Sequence, residues 1–407
     1  MNIRFFAAIA FALAPVAVSQ PVSGLWDATV VVNGLEIPFR MEFSRDRGWF
    51  FNGDEKVTST SGHIDNGSVD LNFEHYGTKL TATLKDGALE GIYGRKGREY
   101  PFHAKPAVKS SAIKGDIPNI DGHWEIQVKS PKGESAWKLI VRQTGSGVSG
   151  AILRIDGDTG TLAGRYKEGR FVLSHFSGAR PSLLELTPQQ DGSLEVVQNG
   201  KNKYVAYRPE VARAKGLTPP TDPSQHTRMV NPEEPFRFSF ADLNSKIVSN
   251  TDARFQGKVV IVSIMGSWCP NCHDEAPFLV DLYRKYHAKG LEIVGLSFED
   301  GDQVSDPKRL RAFIKHYAIE YPVLLPGEQN QLNEKLPGVV NLNSWPTTFF
   351  LGRDGRVRKT HAGFAGKASG AEHEQSIEEM TSLVEELLAE GSLPTTAESA
   401  VQLHKRL

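Results

Sequence analysis

Cysteine is almost absent: the 407 residues hold two, Cys269 and Cys272. A framework of several disulfides is therefore excluded. Charge of one sign is lacking too. Lysine and arginine total 47 against 48 aspartates and glutamates, a net charge of −1. That balance argues against a broad basic surface for nucleic acid. Beyond the N-terminus no run is apolar enough to span a bilayer. With 39% hydrophobic and 23% charged residues, the chain has an ordinary globular composition. Its length suits two or three domains of roughly 100–200 residues each.

The N-terminus reads as a secretory signal, residues 1–19. Met1 and Arg4 supply its positive start, residues 5–18 are apolar, and Ala17-Val18-Ser19 resembles a cleavage site. The alternative is an uncleaved anchor. However, the apolar run is broken by Pro15 and falls short of the roughly 20 residues a spanning helix needs. No cysteine near the cleavage site offers a lipid anchor. The expected location is secreted or periplasmic.

Residues 20–108 are turn-rich and alternate in polarity. Asn33-Gly34, Asn66-Gly67 and Asp86-Gly87 punctuate strand candidates. Residues 109–212 repeat the pattern. Gly122-His123-Trp124 echoes Gly24-Leu25-Trp26, and Asp191-Gly192-Ser193-Leu194-Glu195 echoes Asp86-Gly87-Ala88-Leu89-Glu90. A period near 100 residues points to a duplicated all-β domain, each copy a small barrel or sandwich. Trp26, Trp124 and Trp137 are expected in the cores. His63, His75, His103, His123 and His175 show no metal-ligand spacing. Residues 213–232 are rich in proline and read as an extended linker.

From residue 233 to 392 strands and helices alternate. An apolar run, 259–265, leads into Trp268-Cys269-Pro270-Asn271-Cys272 and then into a helix pattern over 270–288. Further strands are expected at 291–299, 347–351 and 356–360, further helices at 307–317 and 374–388, and a loose tail at 393–407. A disulfide between Cys269 and Cys272 would close a very small loop and constrain the unfolded chain little. A redox pair is the better reading. Cys269, at the start of a helix with Pro270 in its first position, is expected to be the exposed nucleophile, because helix N-termini stabilise a thiolate. Cys272, one turn on, is the expected resolving thiol.

Gly266 to Pro277, together with Ser344-Trp345-Pro346-Thr347-Thr348-Phe349-Phe350 downstream, resembles TlpA/ResA-type thiol-disulfide oxidoreductases of the thioredoxin superfamily. The resemblance implies an α/β thioredoxin-like C-terminal domain, a central sheet flanked by helices, behind the two all-β units. It implies that Pro346 is the family's cis-proline, whose loop offers backbone to a substrate strand. Trp268, Trp345 and Thr347 would meet the substrate. Thioredoxin proper has a buried Asp where this chain has Ser263, so the proton relay is expected at Glu299, at the end of the next strand. Glu275 is typical of the family at its position, either buried and tuning the thiols or exposed.

The leading expectation is an extracytoplasmic disulfide oxidoreductase acting on protein or small-molecule disulfides, more a reductase than an oxidase. Its TlpA/ResA resemblance suggests cytochrome c assembly as one setting. An exported reductase needs a membrane thiol-disulfide electron donor. No cofactor is expected, and nothing in the sequence sets the oligomeric state. Two alternatives stand beside it: a peroxiredoxin-like thiol peroxidase, and a carrier holding Cu or Zn through Cys269, Cys272 and His273.

Overall fold

The computed structural model describes residues 22–108 and 115–390. The signal segment, the middle of the first join and the tail lie outside the described residues.

The first β unit is a nine-stranded antiparallel sheet. Its first strand, Gly24–Val32, pairs with both Leu35–Ser44 and Arg98–Pro106. Type I′-like turns set the registers, with Asn33 and Gly34 at φ 52° and 78°. Alternate residues point inward, so Val30, Met41, Phe50, Leu71 and Phe102 form one core. The two end strands, Glu55–Thr58 and Ser61–Asp65, do not pair with each other, and the sheet is a half-barrel. In the second unit eight strands close a barrel. There Ala136–Thr144 pairs with Gly147–Arg154 as well as with Gly122–Gln127.

The two units therefore differ in closure, and the reason lies between them. Phe176 of the second unit fills the first unit's core, with its ring centroid 4.2 Å from Phe39 and 4.9 Å from Phe50. The open sheet is completed by its neighbour's side chain. Buried Asn52 clamps the insertion: its amide donates to the Phe176 carbonyl (3.1 Å) and its oxygen accepts from the Phe176 N–H (2.7 Å). Asn52→Ala strands both backbone groups. It is expected to lower stability by about 2 kcal/mol, read by denaturant unfolding.

The proline-rich stretch is docked rather than free at its C-terminal end. Asp222 caps a short helix, Pro223–His226, and Arg228–Met229 pairs with Val339–Val340. Buried His226 bonds Asn343 through Nε2 at 2.7 Å.

The C-terminal unit carries the chemistry. Its strands are β1 (Val259–Met265), β2 (Leu291–Glu299), β3 (Val323–Glu328), β4 (Thr347–Leu351) and β5 (Val357–Ala362). Its long helices are α1 (Pro270–Tyr286), α2 (Lys308–Tyr317) and α3 (Ala371–Ala389). The sheet order is β3-β2-β1-β4-β5, with β1, β2 and β3 parallel and β4 and β5 antiparallel. Every residue of β1 and β2 is buried. That fits central strands covered on both faces, where an apolar run replaces alternation. Val259 and Ile261 pack toward Leu279 and Val384, while Val260, Val262 and Ile264 pack toward Phe236 and Phe349. β1 thus delivers its C-terminal end, and the cysteine pair, to one rim of the sheet.

Candidate active site

β1 ends at Met265, and four residues later Cys269 caps α1. Gly266 has to be glycine: a Cβ there would sit 2.2 Å from the Trp268 indole nitrogen and 2.8 Å from the Phe298 carbonyl. The indole N–H donates to that carbonyl at 2.9 Å, and the ring lies 5.3 Å from Trp345. Cys269 Sγ accepts from the Cys272 N–H at 3.4 Å, the cap interaction of a helix N-terminus. It also lies 3.6 Å from the Trp345 carbonyl oxygen. The Trp345–Pro346 peptide bond is cis. The structure thus brings Trp268, Cys269, Cys272, Trp345 and Pro346 together.

Three placements differ from the sequence expectation. Cys269 is fully buried, not exposed, and Asp156 of the second β unit bonds its neighbours Asn271 and Trp345. Thr347 is also fully buried, and its hydroxyl donates to the Ser344 carbonyl at 2.8 Å. It shapes the turn instead of facing a substrate.

The third difference is Glu299. Its carboxylate accepts from the Ser267 N–H, the Ser267 hydroxyl and the Ser297 hydroxyl, each at 2.7 Å. It also pairs with Arg309 at 2.8 Å, with both side chains buried. Arg309 in turn holds Ser267 Oγ (2.8 Å) and Asp300 (2.9 Å). A carboxylate with this many donors buttresses the turn before Cys269. Both of its oxygens are engaged by these donors.

Glu275 is a second buried carboxyl, close enough to act on Cys272. It lies on the first turns of α1, three residues beyond Cys272, so both project from one helix face. Buried Glu275 accepts from Ser263 at 2.9 Å and from Thr348 at 2.6 Å. Burial pushes its carboxyl up to about 7, against the pull of those two hydroxyls. Burial also drives the Cys272 thiol well up, with further contributions from Cys269 and from Glu275. Ser263, in the position of thioredoxin's acid, therefore serves as a donor to an acid supplied by the helix. Ser263→Ala removes a bond that favours the ionised form. The Glu275 carboxyl is expected to titrate roughly one unit higher, measurable by carbon-13 NMR of the reduced protein.

His273, a candidate metal ligand by sequence, is instead the rivet of the site. Nδ1 meets the Tyr317 hydroxyl and Nε2 the Ser267 carbonyl, both at 2.9 Å. Tyr76 of the first β unit packs 4.5 Å from its ring. Burial lowers its pKa to about 3, so the imidazole is neutral at physiological pH. With both nitrogens engaged it cannot join the cysteines on an ion. Among the described residues no group of three or more His, Cys, Asp or Glu side chains is arranged to hold a metal. The metal-carrier reading is set aside on that geometry.

A dithiol at the N-terminus of α1, beside a cis-proline loop on a five-stranded mixed sheet, defines a thioredoxin-like thiol-disulfide oxidoreductase. Sequence comparison agrees. The profile of the AhpC/TSA family matches residues 233–360. The ResA thiol-disulfide oxidoreductase of Bacillus cereus is 32% identical over 134 residues, which cover 33% of this chain and 70% of the relative. ResA of Bacillus subtilis is 28% identical over 127 residues, covering 31% and 64%. The chain belongs to the ResA family of thiol-disulfide oxidoreductases through its C-terminal unit. Among solved structures, a thiol:disulfide interchange protein of Chlorobium tepidum covers 40% of this chain and all of its own, at 22% identity and TM-score 0.30. StoA of Bacillus subtilis covers 37% and 97%, at 19% and 0.27.

Proposed function

We propose that the protein is an extracytoplasmic disulfide reductase. The observation that carries this reading is the pairing of a helix-capping Cys269 with a Cys272 held as a thiol beside a buried, high-pKa Glu275. The Cys269 thiolate attacks a partner disulfide, forming a mixed disulfide and releasing one partner sulfur as thiolate. Glu275 takes the Cys272 proton. Cys272 then attacks Cys269 Sγ, expelling the second partner sulfur and leaving a Cys269–Cys272 disulfide. Two electrons have passed to the partner, and a membrane thiol-disulfide donor returns them. Trp268 and Trp345, half-buried at the rim, are the surface offered to the partner. Thiols of cytochrome c assembly are candidate partners, by family. The signal-like residues 1–19 support export.

The reduction potential tests the direction. A value near −270 mV supports a reductase, and one near −120 mV an oxidant. The AhpC/TSA match keeps a second reading, thiol peroxidase, in play. Saturable peroxide turnover by a Cys272→Ser variant would establish it.

We also read residues 20–108 and 109–212 as copies of one unit, preceding a linker at 213–232 and the redox unit at 233–392. Both β units open on a positive-φ glycine (Gly24 at 78°, Gly122 at 99°). Two residues on, each has a buried tryptophan whose indole donates back to the preceding backbone, Trp26 to Ser23 and Trp124 to Ile120.

A further inference from the structure

A nucleophile with no solvent exposure cannot reach a partner disulfide, so the described conformation is a closed one. The barrel of the second β unit borders the site. Strands Gly147–Arg154 and Gly157–Asp158 form a tight hairpin with Ile155 and Asp156 at its tip. That tip reaches the redox site from more than 100 residues away. Asn271, between the two cysteines, donates to the Asp156 carbonyl at 2.6 Å. The N–H of Trp345, the residue before cis-Pro346, donates to the Asp156 carboxylate at 3.2 Å. Phe364 N–H donates to the Asp156 carbonyl at 3.3 Å, and Gly157 bridges Phe364 in parallel, as a strand would.

The fit is close enough to need glycine on both sides. A Cβ on Gly157 would lie 2.0 Å from the Phe364 carbonyl oxygen, and one on Gly363 would lie 2.3 Å from the Ile155 carbonyl oxygen. Lys132 pairs with the Asp156 carboxylate, and Glu134 accepts from the Ile155 N–H at 2.8 Å, bracing the hairpin from the barrel side.

We propose that this hairpin tip is a built-in competitor for the partner strand: it holds the backbone edge of the cis-proline loop, seals Cys269 in the resting chain, and is displaced when a partner disulfide binds. The proposal rests on the disulfide-exchange reading above. Its consequence is a specificity filter. A partner has to supply an extended segment whose carbonyl replaces the Asp156 carboxylate on Trp345 N–H, and a small disulfide that cannot do so is disfavoured.

The closed form also carries a cost that favours release. Asp158, at the end of the hairpin, is 2% exposed, and among the described residues its Oδ2 meets no donor in good hydrogen-bond geometry. It converges on Asp274 of α1: a Cβ built on Gly366 would lie 3.2 Å from Asp158 Oδ2 and 3.1 Å from Asp274 Oδ2. Buried Asp158 thus faces a second carboxyl, that of exposed Asp274, and their repulsion weakens the contact that the Asp156 bonds make.

The test uses the full-length reduced protein. Cys269 is alkylated with iodoacetamide and followed by mass spectrometry, with the urea-unfolded chain as the reference for a free thiol. The wild type is expected to react at least about tenfold slower than that reference. Asp156→Ala removes the acceptor of the Trp345 N–H, and Gly157→Ala drives the tip off Phe364 by steric contact. Each is expected to speed alkylation about tenfold, the effect of losing one charge-assisted hydrogen bond, and to raise kcat/KM for a small disulfide in parallel. Circular dichroism and melting curves establish that the variants fold, and the two act by different means. Wild-type alkylation at the unfolded-chain rate, or no acceleration in either folded variant, overturns the proposal. Accelerated alkylation with no disulfide turnover in any form upholds the seal and overturns the reductase reading instead.

Discussion

Replacing Cys269 with serine is expected to abolish disulfide exchange, lowering kcat/KM by about a thousandfold or more, because an alcohol supplies no thiolate at neutral pH. Cys272→Ser is expected to fail differently. Cys269 still attacks, but nothing resolves the mixed disulfide, so the partner stays covalently attached. A non-reducing gel of the incubated mixture distinguishes the two: a shifted, reductant-sensitive band with Cys272→Ser and none with Cys269→Ser. The asymmetry follows from geometry. Cys269 caps the helix beside Trp345, whereas Cys272 sits one turn inside, kept as a thiol by burial. A band with Cys269→Ser, and none with Cys272→Ser, would falsify the assignment of roles.

Exchanging the two buried glutamates for glutamine separates the acid from the buttress. Glu275→Gln is expected to slow the resolving step by about 10²–10⁴, the range of a lost general acid–base, and to remove the pH dependence near 7. Glu299→Gln is expected to leave that pH profile in place while lowering stability by roughly 3 kcal/mol, since it strips the main partner from buried Arg309. Rapid-mixing kinetics and unfolding curves across pH measure both. Stability adds a signature. The Glu275 carboxyl is raised to about 7 from an ordinary 4.5. The folded chain therefore holds a proton that the unfolded chain releases between those values. Its stabilising share is complete below about pH 4.5 and is lost as pH rises through 7. Above that, ionising the buried group costs on the order of 3 kcal/mol. Glu275→Gln should flatten the stability curve between pH 5 and 8. A wild-type curve already flat across this window contradicts the raised carboxyl.

Much of the redox unit was legible because its signals are local. An apolar strand, a proline at the first helical position and two cysteines one turn apart constrain one another within fifteen residues. Glu275 was also within reach of the same logic, since its spacing from Cys272 puts both on one face of α1. Glu299 stands at the strand end where the ResA resemblance, with Ser263 in place of an acid, implies the proton relay. What it faces, however, is decided by Arg309, ten residues on in α2. A carboxylate's role follows from which donors meet it, and donors arrive from elements far apart in the chain.

The sequence by itself determined the order of units, the strand-helix junction at Cys269, and the turn glycines, because backbone periodicity and φ preference act over a few residues. It showed two β units but not that one closes and the other borrows Phe176. Only the tertiary structure decided which donors meet Glu275 and Glu299, and only it brought Asp156 onto Trp345, 189 residues away. Those choices rest on burial and on hydrogen bonds between distant segments. Their energies exist only after the units have packed, so no local pattern encodes them.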